Sequence, residues 1–398
     1  MFCAPLAAQE WTRFRGPDGS GANAAVDIPG EWKETDLAWK LELPGKGHSS
    51  PVLWRDKLFI NSAIPETGER VICGIDSAKG KILWTKKFPA SANFRIHAQN
   101  SFSSGSPTCD KDAVYFAWAS PEKGELTAVD HAGKVLWETP LPGYQSRHGF
   151  GSSPIVHGDL VYLTYDQDGP STVFAMDRKT GEKKWSVDRK VLDEQNASYA
   201  TPMILPAMGK QSECLIINSW AHGVSCLNPT NGATIWEKAV FARRPVGSPI
   251  LHNGLLIGNC GEGGGDNSVI ALKVNNHEPE VAFKIDKTMA PYVPSIIANG
   301  DYAYLWSDKG IVYCIHLPDG KKVWQQRIGG NFSSSPVIAG DKLINISAEG
   351  DVYVLATGDT FKQLGKNKLG ETTRSTPALA NGKMFVRTEG HLYAVKGK

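Results

Sequence analysis

The chain has 398 residues and a formal charge of +2, with its basic residues scattered rather than clustered, which excludes the electrostatic footprint of a dedicated nucleic-acid binder. Gly and Pro together supply 65 residues, about 16% against an average near 12%, which favours many turns between short strands. A hydrophobic content of 41% suffices for a core, and no run of about 18 apolar residues offers a membrane-spanning helix.

The first residues, MFCAPLAAQ, form a short, largely apolar stretch with small residues around Ala7 and Ala8, the pattern of the tail of a secretory signal, although no Lys or Arg precedes it. The expectation is an exported or periplasmic protein with a signal remnant at 1–10 and a single domain over 11–398. The seven cysteines show no zinc or haem-attachment spacing. LAWKLELP follows and reads as a strand, with Trp39 twelve residues before Pro51.

From there the chain repeats. Starts at Pro51, Pro107, Pro154, Pro202, Pro249, Pro294, Pro336 and Pro377 recur at intervals of 41 to 56 residues, the span of one propeller blade. Each opens an apolar run, a polar turn and a second run rich in Val, Ile, Leu and Tyr, which is strand chemistry joined by hairpins. Five units then carry a Gly four residues before a Trp: Gly80 and Trp84, Gly133 and Trp137, Gly181 and Trp185, Gly232 and Trp236, Gly320 and Trp324. The Gly suits a turn needing positive φ, and the Trp suits a space between stacked sheets. The fifth unit has Lys273, His277 and Phe283 at these places and the seventh lacks the Trp, so both should have looser outer turns. The eighth stops at Lys398 before its turn and Trp. Trp39 supplies the missing piece, so the N-terminal strand near Leu37–Leu43 is predicted to complete the last blade. The fold class is therefore an all-β, eight-bladed β-propeller of four-stranded antiparallel blades, closed into a ring that leaves no open edge. Cys226 and Cys314 occupy the place of Ala128, Ala175, Ala271 and Ala394 and are expected to be buried free thiols.

The segments resemble the tryptophan-docking repeat, A-x-D-x-x-T-G-x-x-x-W, of the pyrroloquinoline quinone (PQQ)-like β-propellers, which Ala175 to Trp185 meets at every fixed position. WTRFRGPDGSG, HAQNSFSSGSP and YDQDG resemble a bacterial branch of that family. Its relatives include quinoprotein alcohol dehydrogenases and the propeller lipoprotein of the outer-membrane β-barrel assembly machine. The dehydrogenases are similar to one another in adjacent cysteines over the quinone, a Ca²⁺ site of Glu, Asn and Asp, and covering insertions. This sequence has no Cys-Cys pair and few insertions. The resemblance therefore implies a non-catalytic scaffold without a cofactor; the alternative is a PQQ- and Ca²⁺-dependent alcohol or sugar dehydrogenase.

In a propeller, the inter-blade loops and the loops between second and third strands share one face, and loops on a rigid scaffold concentrate binding residues. The inter-blade loops contribute Arg95, His97, Asn100, Arg147, His148, Arg243, Arg244 and Arg374, and the mid-blade loops contribute Asp166, Trp220, His222, Glu262, Asp266 and Trp306. The arginines offer bidentate contacts to an anion, weighed against pairing with nearby carboxylates. Trp220 and Trp306 offer stacking surfaces if exposed. The histidines come from different blades without ligand spacing, so no metal is expected. YDQDGP and GEGGGD do not match a calcium loop, and Gly263–Gly265 read as a relaxed hairpin. The expected partner is an envelope protein or an anionic small or polymeric ligand, bound by a monomer.

Overall fold

The computed structural model describes residues 10–192, 197–263 and 265–398; residues 1–9 of the segment 1–10 expected to be a signal remnant, and Gly264 of the triple glycine, lie outside the described residues. Among the described residues the strands form eight sheets, each built on four antiparallel strands. Blade 1 comprises Val52–Trp54, Lys57–Ala63, Arg70–Asp76 and Lys81–Phe88. Its two middle strands are buried almost throughout, while the outermost alternates exposed and half-buried residues. That gradient is what a sheet covered on both faces by its neighbours requires. The ring closes as the spacing predicts: Leu37–Glu42 pairs with His391–Lys396, placing Trp39 opposite Ala394.

The Gly and Trp of the repeat meet across blades. A Cβ on Gly80 would lie 2.3 Å from the Trp39 ring, one on Gly133 2.7 Å from Trp84, and one on Gly181 2.6 Å from Trp137. All three glycines have positive φ. The indole N–H groups of Trp39, Trp84, Trp137 and Trp185 donate to the carbonyls of Ser77, His131, Arg178 and Pro229 in the next blade's turn. Each ring thus buries its face on a bare glycine and satisfies its one polar atom.

The exceptional blades solve the contact differently. Phe283 of blade 5 packs on Gly320 as a tryptophan would. Trp236, whose neighbour offers no glycine turn, donates instead to the Gln211 side chain, and the blade 5 turn is held by the Lys210 N–H donating to the Asn275 carbonyl. In blade 7 the ring position is taken by Gly365, opposite Val354, and a Cβ there would lie 2.1 Å from the Gly30 carbonyl oxygen. The missing Trp makes room for the N-terminal segment.

That segment was not legible as structure. Trp11 bridges Leu53 of blade 1, and the Thr12 carbonyl accepts the Cys109 N–H of blade 2. Ala22–Asn23 pairs in parallel with Ile338–Ala339 of blade 7. The chain therefore crosses the axis and plugs the central channel before running out past Asn367, whose side chain holds both Gly30 and Trp32. Arg15, 1% exposed, pins the crossing by donating to the carbonyls of Pro336, Ile296, Ser20 and Gly19.

Two expectations are corrected. The sixth blade starts in register at Ile296, not Pro294, because its first strand is Ile297–Asn299 while the first strand of blade 5, Ile250–His252, directly follows Pro249. Cys226 is not a free thiol: it is disulfide-bonded to Cys214, with Cα atoms 5.6 Å apart. The two lie diagonally across neighbouring strands, since Cys226 sits opposite Ile216, and a twelve-residue separation spanning a hairpin carries no short motif to announce it. Cys314 is buried and free, as are Cys73, Cys109 and Cys260.

Candidate functional site

Above the plug, the inner ends of the blades surround a cavity of about 440 Å³. Its lowest ring is built from the residue that opens each innermost strand: Ser50, Ser106, Ser153, Thr201, Ser248, Ser295, Ser335 and Thr376, all lining the cavity. The ring is hydrogen-bonded from blade to blade. The backbone N–H of Ser50 donates to the Ser106 hydroxyl (2.8 Å), Ser106 to Ser153, Thr201 to Ser248, Ser248 to Ser295, Ser295 to Ser335, Ser335 to Thr376, and Thr376 back to Ser50. The Ser/Thr-Pro starts of the sequence are thus a belt of hydroxyls facing the axis, and Phe14 of the N-terminal plug adds to the lining.

The inter-blade loops build the walls. His48, His97, Asn100, His148, Tyr199, Tyr292 and Arg374 all line the cavity. The His97 ring stacks on His148 with centroids 5.0 Å apart, and the Asn100 amide donates to the His148 carbonyl at 2.6 Å, so the loop between blades 1 and 2 is tied to the next. Arg244, 6% exposed, reaches His148 Nδ1 at 3.0 Å and lies over the Tyr199 ring. Burial and the Arg244 charge push the His148 pKa down to about 4, and burial with Arg387 and Arg374 pushes His48 down to about 3. Both imidazoles are neutral at pH 7. Arg374 donates to the Ser333 hydroxyl at 3.0 Å.

Of the residues singled out in the sequence, His97, Asn100, His148 and Arg374 meet at this cavity and Arg244 stands behind its wall. Arg95 is exposed on the same loop as His97, and Arg147 carries its backbone N–H to Asp168. Arg243 is committed to Glu262 (3.0 Å) and Asp266 (2.7 Å), a surface ion-pair group outside the lining. Asp166 is buried beside Arg189 (3.6 Å), its pKa raised by burial against that charge. His222 pairs with Glu237 at 2.8 Å and accepts the Lys190 N–H, so it holds a strand end in place. Trp220 is half-buried, its backbone N–H on Ser198. Trp306 is corrected: it is 0% exposed and stacks on Phe332 in the core, where its apolar area is worth more than at a surface. Sequence reasoning placed Tyr292 on the loop face but missed His48, Tyr199, Phe14 and the hydroxyl belt. For the belt a signal existed, the Ser or Thr before nearly every start.

A family profile described as outer membrane protein assembly factor BamB matches residues 31–149, 98–326 and 289–398. Quinoprotein alcohol dehydrogenase PedH of Pseudomonas putida is 24% identical over 52% of this chain and 33% of its own length. Outer membrane protein assembly factor BamB of Yersinia pestis is 23% identical over 56% of this chain and 55% of its own. The chain thus spans a third to about half of the length of these curated relatives. The solved quinohemoprotein alcohol dehydrogenase from Comamonas testosteroni shares the fold, with a TM-score of 0.70 at 13% identity over 99% of this chain and 82% of that one.

The dehydrogenase likeness raises the question of a quinone with Ca²⁺, and the donor set answers it. Among the described residues no Asp or Glu lines the cavity, whereas Ca²⁺ draws on carboxylates to balance its charge. No cluster of three or more His, Cys, Asp or Glu suited to a metal occurs among the described residues. The disulfide lies in blade 4, outside the lining. The described residues that line the cavity do not fit a Ca²⁺–quinone centre.

Proposed function

The chain belongs to the PQQ-repeat family described as outer membrane protein assembly factor BamB, and on that premise we propose that it is a non-catalytic binding scaffold of the bacterial envelope, exported to the periplasm, whose loop face engages an envelope protein or an anionic ligand. The observation that carries this reading is the make-up of the axial cavity: hydroxyls, imidazoles and one arginine, with no carboxylate among the described residues to hold a cation beside a quinone. Family membership alone leaves the choice open, since one fold hosts both binding proteins and dehydrogenases.

The test has two arms. Titration with PQQ and Ca²⁺, followed by dye-linked oxidation of a panel of alcohols and sugars, is expected to give no turnover; micromolar quinone binding with turnover overturns the reading. A photo-crosslinker at Arg95, exposed on the loop face, should capture a specific envelope protein that the same group at Lys79, exposed on the opposite face, does not.

A further inference from the structure

The hydroxyl belt has donors left over. Seven of its eight oxygens accept a backbone N–H from the neighbouring blade. An oxygen that accepts still carries its own proton, and among the described residues these hydroxyl protons have no protein acceptor. All eight residues are at most 4% exposed, so the protons are withheld from bulk solvent and converge on the axis. Arg374, half-buried at the cavity wall, adds further donors: one nitrogen donates to Ser333, and its other N–H groups meet no acceptor among the described residues. Buried Arg244 and Arg387 stand behind the wall, and no Asp or Glu among the described residues lines the cavity to offset their charge.

Such a pocket is rich in donors, positive and poor in strong acceptors. It selects a ligand that is rich in acceptors and negative, because unpaired buried donors are costly to leave unmade. One free guanidinium edge matches one carboxylate, the planar partner that arginine holds through two parallel bonds. The belt matches hydroxyl and ring oxygens, and Tyr199, Tyr292 and Phe14 add aromatic surface to the lining for the C–H groups of a sugar ring. The volume of about 440 Å³ falls within the range of small-molecule sites, roughly 300–1,000 Å³.

We infer that the axial cavity is a binding site for a carboxylated sugar, a hexuronic acid or a short chain ending in one, with Arg374 holding the carboxylate and the Ser/Thr belt holding ring oxygens. This rests on the scaffold reading above and deepens it by naming the ligand class.

The test is calorimetric titration of the intact protein with D-glucuronate, D-glucose and sodium sulfate in parallel, repeated on Arg374→Gln and Arg374→Lys. Glucuronate should bind saturably, roughly tenfold or more tighter than glucose or sulfate. Arg374→Gln should lose about tenfold or more of that affinity, Arg374→Lys should keep part of it, and neither should lower the melting temperature, because among the described residues the Arg374 side chain makes one hydrogen bond, to Ser333. The inference is overturned if glucuronate shows no saturable binding up to about 10 mM, if glucose matches it, if sulfate matches it, or if Arg374→Gln leaves its affinity unchanged. Any of these leaves the scaffold reading standing; only turnover with PQQ and Ca²⁺ removes that reading as well.

Discussion

Arg15→Ala tests the plug directly. The guanidinium is 1% exposed and its bonds to the carbonyls of Pro336 (2.9 Å) and Ile296 (2.8 Å) join the N-terminal segment to blades 7 and 6. Truncation strands these two buried acceptors and the buried Gly19 carbonyl at about 1–3 kcal/mol each and opens a cavity, partly offset by releasing the burial cost of the cation, for a net of about 4 kcal/mol. Arg15 already sits at φ 65°, and alanine bears the same backbone cost there, so the measured loss belongs to the side chain. Unfolding entropy near 2.1 cal/mol/K per residue gives roughly 0.8 kcal/mol/K for a chain this long, hence a fall in Tm of about 5 °C. Differential scanning calorimetry at neutral pH reads the shift. Arg15→Lys should recover less than half, because one ammonium cannot span two diverging carbonyls. Gly21→Ala should reproduce part of the loss, since its methyl would lie 2.8 Å from the Arg15 guanidinium. A shift under about 1 °C for Arg15→Ala would refute the plug as a structural part of the ring.

Gly133→Ala should cost about 2–4 kcal/mol and Gly382→Ala about 1 kcal/mol: both have positive φ, but only Gly133 would drive a Cβ against Trp84, at 2.7 Å, while Gly382 faces open space. Equal losses in urea melts would show that the ring contact carries no energy. Cys73, Cys109, Cys260 and Cys314 should resist a maleimide in the native protein and react on unfolding, while Cys214 and Cys226 are recovered as one disulfide-linked peptide; alkylation of either without reductant contradicts the pairing. His48 has a folded pKa depressed to about 3, so between the unfolded value near 6.5 and that value the unfolded chain binds the extra proton. Stability should then fall as pH drops below about 6.5, by roughly 2–3 kcal/mol at pH 4.5 from this group. His48→Gln should flatten that acid limb in melts at pH 7 and 4.5, and an unchanged slope would rule the group out.

The eight blades and their closure were determined by sequence alone, because a repeat that cannot bury both its faces must stack, and stacking needs the same few residues in every unit. Gly80, Gly133 and Gly181 with their tryptophans announce the turns; Trp39 and the short last unit announce the closure. The Trp positions even encoded their exceptions, Phe283 in the fifth unit and the missing Trp in the seventh, although only the structure showed that Gly365 stands there and yields its place to Gly30. The loop face was legible as a face but not as a site. Trp306 and Arg374 look alike as loop-face candidates in sequence, one mid-blade and one inter-blade, yet one is sealed in the core and the other lines the cavity, because which way a side chain turns depends on contacts from blades tens to hundreds of residues away. The cavity itself belongs to no single stretch of chain. Its belt takes one hydroxyl from each blade, and its plug is Phe14 and Arg15 of a segment with no repeat partner. Only the closure of the ring brings these together, since convergence on an axis is a property of the assembled blades and not of any one of them.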